Sequence, residues 1–565
     1  MHSTIVGVFR EQSANRGEAP FLHHWRESGW ESLSWAECGR RVLRIGGGLV
    51  AAGLEPGQAV LLVSANRVEW ILADLGIQAA GGVTVPVYPS STRDTISKIV
   101  ANCGARVAIV GSPELAVKLP DGVRVVQVDG ELSGWMESDP PSSAAEEVAR
   151  RIAAIEPSTV ASIIYTSGTT GDPKGVVLTN ANFFESARGA LEHFAVAPED
   201  SLLSFLPYSH VFERESGIYT AIVSGADMWL SRGLDRLAED IAEVNPTVML
   251  GVPRMFEKIV ERIRGEVRKQ PGWKRLLFES AQAGRLGPLG AAVLKPVRLR
   301  VGGRRLRFFI SGGSPLSPDV EAFFWALGIP IYNGWGMTET TSGATANTPH
   351  AHRYGTVGKP LPGVELRIAE DGELLVRGPG VMQGYSNDRR ATDEVFRDGW
   401  LLTGDIGEID PDGFLRITDR KKDLMKTSGG KFVAPQPIEA KLQSTSYIET
   451  ALLVGDGRAY LTALLVPRWD RLRSDLGLTE TPERLTTDRR VVGAIQKLVD
   501  QINSGLGHWE TIKYFRLLPR DFEESEEERT PSLKIKRSAV TRKHAELIDQ
   551  MYEEGQKNRT GQNMV

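Results

Sequence analysis

The stretch YTSGTTGDPKG, from Tyr165 to Gly175, gathers glycines, hydroxyls and a lysine in a combination suited to wrapping backbone around a polyphosphate. Gly168, Gly171 and Gly175 permit close approach of the main chain to an anion. Thr166, Ser167, Thr169 and Thr170 supply hydroxyl donors, and Lys174 adds a fixed positive charge. A Walker-type loop requires GxxxxGK[ST], and counting from Gly168 puts Pro173 where its second glycine should stand, which excludes an ordinary P-loop. On composition alone, a Ser/Thr/Gly-rich surface loop with one solvated lysine is an equal alternative.

Further candidates follow along the chain. In YNGWGMTETTSG, Gly334 and Gly336 flank Trp335 and leave room for a flat ring on the indole, with the hydroxyl of Thr338 and the carboxylate of Glu339 close behind. Alone, this segment also reads as a core tryptophan beside a turn. SGGSPLS, at 311–317, is no hydrolase elbow, because Leu316 occupies the last glycine of GxSxG. Asp405, in LLTGDIG, is either a solvated loop acid or a carboxylate placed to accept both hydroxyls of a ribose. LPYSHVFERESG sets His210 among aromatic and charged residues, a setting in which histidine is more often structural than catalytic. EERTPSLKIKR, around Lys534, is by itself a basic patch after an acidic run.

These residues need elements to position them. The apolar run TVASIIY predicts a buried strand before the Tyr165–Gly175 loop, and NANFFESARGALEHF predicts a helix after it with Asn180 as cap, so the loop is expected at a strand-to-helix turn. Apolar strands alternate with helical stretches through about the first four hundred residues: AVLLVSA, then 68–79, VTVPVY at 83–88, RVAIV at 106–110, and RLRFFI before a helix from near Pro318. Between Gly363 and Thr418 short strands surround turn signals, the pattern of an antiparallel module. The expected fold is therefore α/β: a large N-terminal domain of α/β subdomains plus an antiparallel β module, and a smaller, mobile α+β C-terminal domain. Its expected bounds are 1–418, a hinge at 419–423 in DRKKD, and 424–565.

At 565 residues the chain is long enough for two cores, and a formal net charge of -4 gives no basic footprint for nucleic acid. Cys38 and Cys103 make no disulfide or metal pattern. The first residues lack a signal-peptide pattern, and no run of apolar residues is long enough to span a bilayer. A cytoplasmic enzyme is expected, with peripheral contact at the inner membrane face compatible with the charge.

YTSGTTGDPKGVVLTN is similar, nearly residue for residue, to the phosphate-binding signature of the adenylate-forming acyl-CoA synthetases, luciferase-like enzymes and peptide-synthetase adenylation domains. SHVFER and VPRMFEK resemble segments of the long-chain fatty acyl-CoA synthetases within that superfamily. The resemblance spans essentially the whole chain. It implies ATP-dependent conversion of a long-chain fatty acid to acyl-AMP and transfer to CoA, or, alternatively, to an acyl carrier protein.

The same resemblance implies roles. Thr166, Ser167, Gly168, Thr169, Thr170, Gly171 and Lys174 would hold the phosphates of ATP. Gly312, Gly313, Trp335 and Gly336 would form the adenine site, and Asp405 and Arg420 the ribose site. Thr338 would contact the α-phosphate, Glu339 with Thr166 would hold Mg²⁺, and His210 would position the fatty acid. Lys534 would serve adenylation, with Leu533 where many members have glycine. Gly430, with Gly429, would line the path of the CoA thiol, and Asp419 or Lys422 would be the pivot of the hinge.

Overall fold

In the computed structural model, residues 3–27, 29–166, 172–522, 528–529 and 535–562 are described. The chain divides into two compact units, one of 1–367, 375–402 and 409–416, the other of 368–374, 403–408 and 417–565.

Two large, mainly parallel sheets lie in the first unit, which also holds parts of a smaller five-stranded sheet. One orders its strands as Gly384–Tyr385, β2 (Lys174–Thr179), β1 (Val160–Thr166), Val83–Val87, Ala59–Val63, Val107–Val110 and Arg124–Gln127. The strands from β1 onward are parallel, while β2 and Gly384–Tyr385 add on antiparallel. Near-continuous apolar runs suit strands covered on both faces: every residue of Ala59–Val63 and of Val83–Val87 is buried. The helix Val68–Ala79 is buried at every position but Glu69, as expected of a helix enclosed on all sides.

The second sheet runs Lys359–Pro360, β7 (Ser342–Ala346), β6 (Ile331–Met337), β5 (Phe308–Ser311), β4 (Val248–Gly251), β3 (Ser201–Ser204), Asp227–Leu230, Pro20–Arg26 and Gly29–Ser34. From β6 to Pro20–Arg26 it is parallel, with antiparallel strands at both edges. Four strands that are neighbours in the sheet, β3, β4, β5 and β6, thus end at the same edge, where ligands of open α/β sheets bind.

The expected strand-to-helix turn at Tyr165–Gly175 is replaced by a β-hairpin. β1 and β2 pair antiparallel, Thr166 opposite Lys174, because the β-branched run after the loop continues as a strand. The helix follows β2 as α1 (Asn180–Phe194), and its cap is Thr179 rather than Asn180, in a capping box with Asn182. Gly175 accordingly lies in β2, where a side chain would meet the Tyr165 ring at 2.8 Å, so its small size serves strand packing.

In the second unit, Ile448–Val454 pairs antiparallel with Leu461–Pro467, which pairs parallel with Ile512–Leu517. Helices Pro435–Gln443 and Arg489–Asn503 bury Ile438, Leu442, Val491, Ile495 and Val499 in that unit's own core.

Candidate active site

Each carboxyl end of β3–β6 leads into one of the singled-out motifs. After β3, the chain turns through Pro207–His210 and into the HVFER segment. Asn66 fixes this turn from another part of the unit, donating to the Leu206 carbonyl at 2.6 Å and accepting from the Tyr208 N–H at 3.0 Å. The Phe212 N–H donates to His210 Nδ1 at 3.1 Å, so in the neutral ring the proton sits on Nε2. Phe212 itself lies against Gly312: a methyl group there would be 3.3 Å from its ring. The HVFER and SGG segments are thereby adjacent.

Ser311, the last residue of β5, is the register partner of Asn333 within β6. Both are buried, and Ser311 Oγ and Asn333 Oδ1 have no hydrogen-bond partner among the described residues, the condition of groups that await a ligand or water. Gly313, next in the loop, has φ +85°.

Trp335 and Gly336 stand in β6, with Trp335 opposite Thr345 of β7 and nine-tenths buried. Gly336 tolerates no side chain, since a Cβ would fall 1.5 Å from the Ser342 carbonyl oxygen. Thr338 opens the turn Thr338–Thr340, after which Thr341 and Ser342 take φ of 55° and 80°, a left-handed conformation costly for such residues. Side-chain bonds hold it there: Thr340 Oγ1 accepts from the Met337 N–H at 2.9 Å, and Thr341 Oγ1 donates to the Gly380 carbonyl at 2.6 Å. The threonines of TETT are in this way the braces of the turn that aims Thr338 and Glu339.

Glu339 is buried and accepts a hydrogen bond from Tyr385 Oη at 2.9 Å. Tyr385 is brought in by the pairing of Gly384–Tyr385 with β2, and Lys174 Nζ lies 5.0 Å from the centre of its ring. Burial, reinforced by the Glu339 charge, pushes the Tyr385 hydroxyl well above its usual range, so it remains a donor to the carboxylate. Thr166, paired with Lys174, completes this group, whereas Ser167, Gly168, Thr169, Thr170 and Gly171 lie outside the described residues. Tyr385 is the site residue that the sequence did not disclose: its motif, GYSND, is unremarkable until the strand pairing sets it beside Glu339.

Glu213 and Arg214 of the HVFER segment are fully buried. Arg214 forms a charge-assisted network with Asp74 at 2.5 Å, Tyr219 at 3.0 Å and Ser162 at 2.6 Å, which ties two layers of the unit together. Glu213 accepts from Ser204 Oγ at the end of β3, and burial pushes its carboxyl up to about 8.

In the second unit, Asp405 is buried and pairs with Arg420, Nε to Oδ1 at 3.2 Å. The Asp405 N–H donates to Thr403 Oγ1 at 3.0 Å. Asp419 accepts from the backbone N–H groups of Arg420 and Gln436, and burial raises it to about 6. Gly430 sits with φ +78° in the turn of a small hairpin between Met425–Lys426 and Phe432–Val433. Lys534 lies outside the described residues.

Comparison with known proteins accounts for this arrangement. Residues 9–386 match the AMP-binding enzyme family, and 422–556 match the AMP-binding enzyme C-terminal domain. The chain is 34% identical to the long-chain-fatty-acid–CoA ligase FadD15 of Mycobacterium bovis, over 98% of this chain and 97% of that one. Among solved structures it superposes on the ATP-bound MatB of Rhodopseudomonas palustris (TM-score 0.75, 23% identity, 96% of this chain and 99% of that one). It likewise superposes on the O-succinylbenzoate coenzyme A synthetase MenE of Bacillus subtilis in complex with AMP (TM-score 0.73, 22% identity, 94% and 97%). With both parts of the family matched in order along one chain, the protein belongs to the AMP-binding enzyme family.

Proposed function

We propose that this protein is an AMP-forming long-chain fatty acid–CoA ligase. A carboxylate oxygen attacks the α-phosphorus of ATP and pyrophosphate leaves, giving an acyl-adenylate. The CoA thiol then attacks the acyl carbon, its proton passes to solvent, and the bond from the acyl carbon to the AMP oxygen breaks. The convergence of four motif-bearing segments on one sheet edge carries this reading, in a chain with full-length likeness to a long-chain-fatty-acid–CoA ligase.

In this reading Trp335 stacks on adenine against the Gly312–Gly313 backbone, with Gly336 beside it, and Asp405 and Arg420 bind the ribose. Lys174 and residues 167–171 hold the phosphates, Thr338 meets the α-phosphate, and Lys534 counters charge on the five-coordinate phosphorus. Thr166 and the buried carboxylate of Glu339 would hold Mg²⁺, which would offset phosphate charge. His210 orients the fatty acid through Nε2. In this scheme the segment 1–418, with Arg420 from the hinge, binds ATP and acid, 424–565 swings about 419–423, and Gly430 lines the path of the thiol. Lys422 is the pivot in this scheme, because Asp419 is buried and committed to backbone N–H groups. The cytoplasm, where ATP and CoA are at hand, is the proposed setting.

Fatty acid labelled with oxygen-18 in its carboxyl group tests the chemistry. Attack on the α-phosphorus predicts label in the released AMP; unlabelled AMP, or label in pyrophosphate, would contradict it.

A further inference from the structure

Of the eleven large apolar side chains exposed among the described residues, four lie together in one helical hairpin, while the other seven are scattered along the chain. Helix α2 (Pro253–Arg268) is followed by α3 (Gly272–Gln282) and α4 (Pro288–Gly302). The inner face of the α3–α4 pair joins the core through Phe278, Ala281, Leu294 and Val301. On the outside, Trp273, Leu276 and Leu277 occupy one turn of α3 and Leu289 the first turn of α4. They are 66%, 62%, 39% and 71% exposed, where side chains of this size are normally covered.

The charge around these residues is predominantly positive. Residues 268–305 hold ten Lys or Arg and a single acid, Glu279, in a chain whose net charge is -4. Lys269, Lys274, Arg275, Arg285, Lys295 and Arg304 are all exposed. Lys274 Nζ rides 5.5 Å over the Trp273 ring, and Arg300 pairs with Glu266 at 2.6 Å. Exposed Trp and Leu within a collar of Lys and Arg form the composition of an interfacial helix, whose apolar side chains enter the acyl boundary while the cations meet lipid phosphates.

We propose that the α3–α4 hairpin docks on the surface of an anionic lipid bilayer. A second copy of this chain is the poorer occupant, since it would set the same positive charge against itself. Nucleic acid is also poorer, since leucines standing in solvent gain little from a phosphate backbone. The inference is independent of the substrate assigned above, and it is tested without substrate or ATP.

The test is flotation of the full chain with vesicles of phosphatidylglycerol and phosphatidylcholine, and with phosphatidylcholine alone. The protein should float with the anionic vesicles, release them as salt is raised, and ignore the neutral ones. Replacing Lys274 and Arg275 together by Glu should lower partitioning about tenfold or more. The pair Trp273→Ala and Leu276→Ala should lower it by a similar factor at unchanged charge, and neither pair should alter the melting temperature or AMP formation in vesicle-free solution. No flotation with anionic vesicles, or flotation indifferent to both pairs, would overturn the proposal. So would a wild-type dimer that Trp273→Ala with Leu276→Ala turns into monomers, or nucleic-acid binding lost on charge reversal without any vesicle binding.

Discussion

At the scale of single residues, the same segment supplies both scaffold and site. In HVFER, His210 stands at the sheet edge while Arg214, four residues on, is fully enclosed and bound to Asp74. No pattern within the segment separates these roles, because Asp74 and Ser162 come from distant parts of the chain, with Tyr219 five residues on along the same helical turn. Glu213 offers a test through pH. Its folded pKa of about 8 stands above the ordinary 4.5, so the folded protein holds the proton that the unfolded chain has already released across that interval. Stability therefore declines as pH rises from about 4.5 through about 8 on account of this group. Glu213→Gln keeps an acceptor for Ser204 and should flatten that decline, read as melting temperature against pH; identical slopes for both proteins would refute the assignment. Trp335→Ala should weaken ATP binding about fivefold, roughly 1 kcal/mol, with Trp335→Tyr restoring most of it. Calorimetry showing equal affinity for all three would remove Trp335 from the adenine site.

At the scale of elements, much was legible where periodicity and length were unambiguous. The helix over 68–79 has the bounds its sequence implies, the helix through NANFFESARGALEHF forms with its cap one residue earlier than expected, at Thr179, and VTVPVY forms a strand over Val83–Val87. The loop at Tyr165–Gly175 was misread as strand-to-helix because VVLT is short enough to pass for the approach to a helix. Its β-branched residues instead extend a strand that pairs back on β1, and this pairing recruits Tyr385 from some two hundred residues away. The end of β6 and the turn after it are the most demanding part of the site, and Gly336, in β6, is its tightest point. Gly336→Ala should force β6 and β7 apart at the Ser342 carbonyl and cost about 3 kcal/mol or more, measured by denaturant unfolding. A loss below about 1 kcal/mol would mean that the turn accommodates a side chain without the strain inferred here.

At the scale of the whole molecule, the candidate residues fall into two sets that each unit organises for itself. The sheet edge of the first gathers His210, Gly312, Trp335, Thr338 and Glu339, with Lys174 held through Tyr385; the second pairs Asp405 with Arg420. The two family segments, 9–386 and 422–556, cover most of the chain and leave Asp405 and Arg420 in the stretch between them. A ligase that works in two half-reactions needs ATP and acid for the first and the thiol for the second. Purified protein with ATP, Mg²⁺ and acids from acetate to oleate, assayed for AMP with and without CoA, tests this most directly. AMP release that requires CoA and a long-chain acid together is the predicted result. Pyrophosphate release with acyl-AMP retained whether or not CoA is present, or turnover confined to short acids, would contradict it.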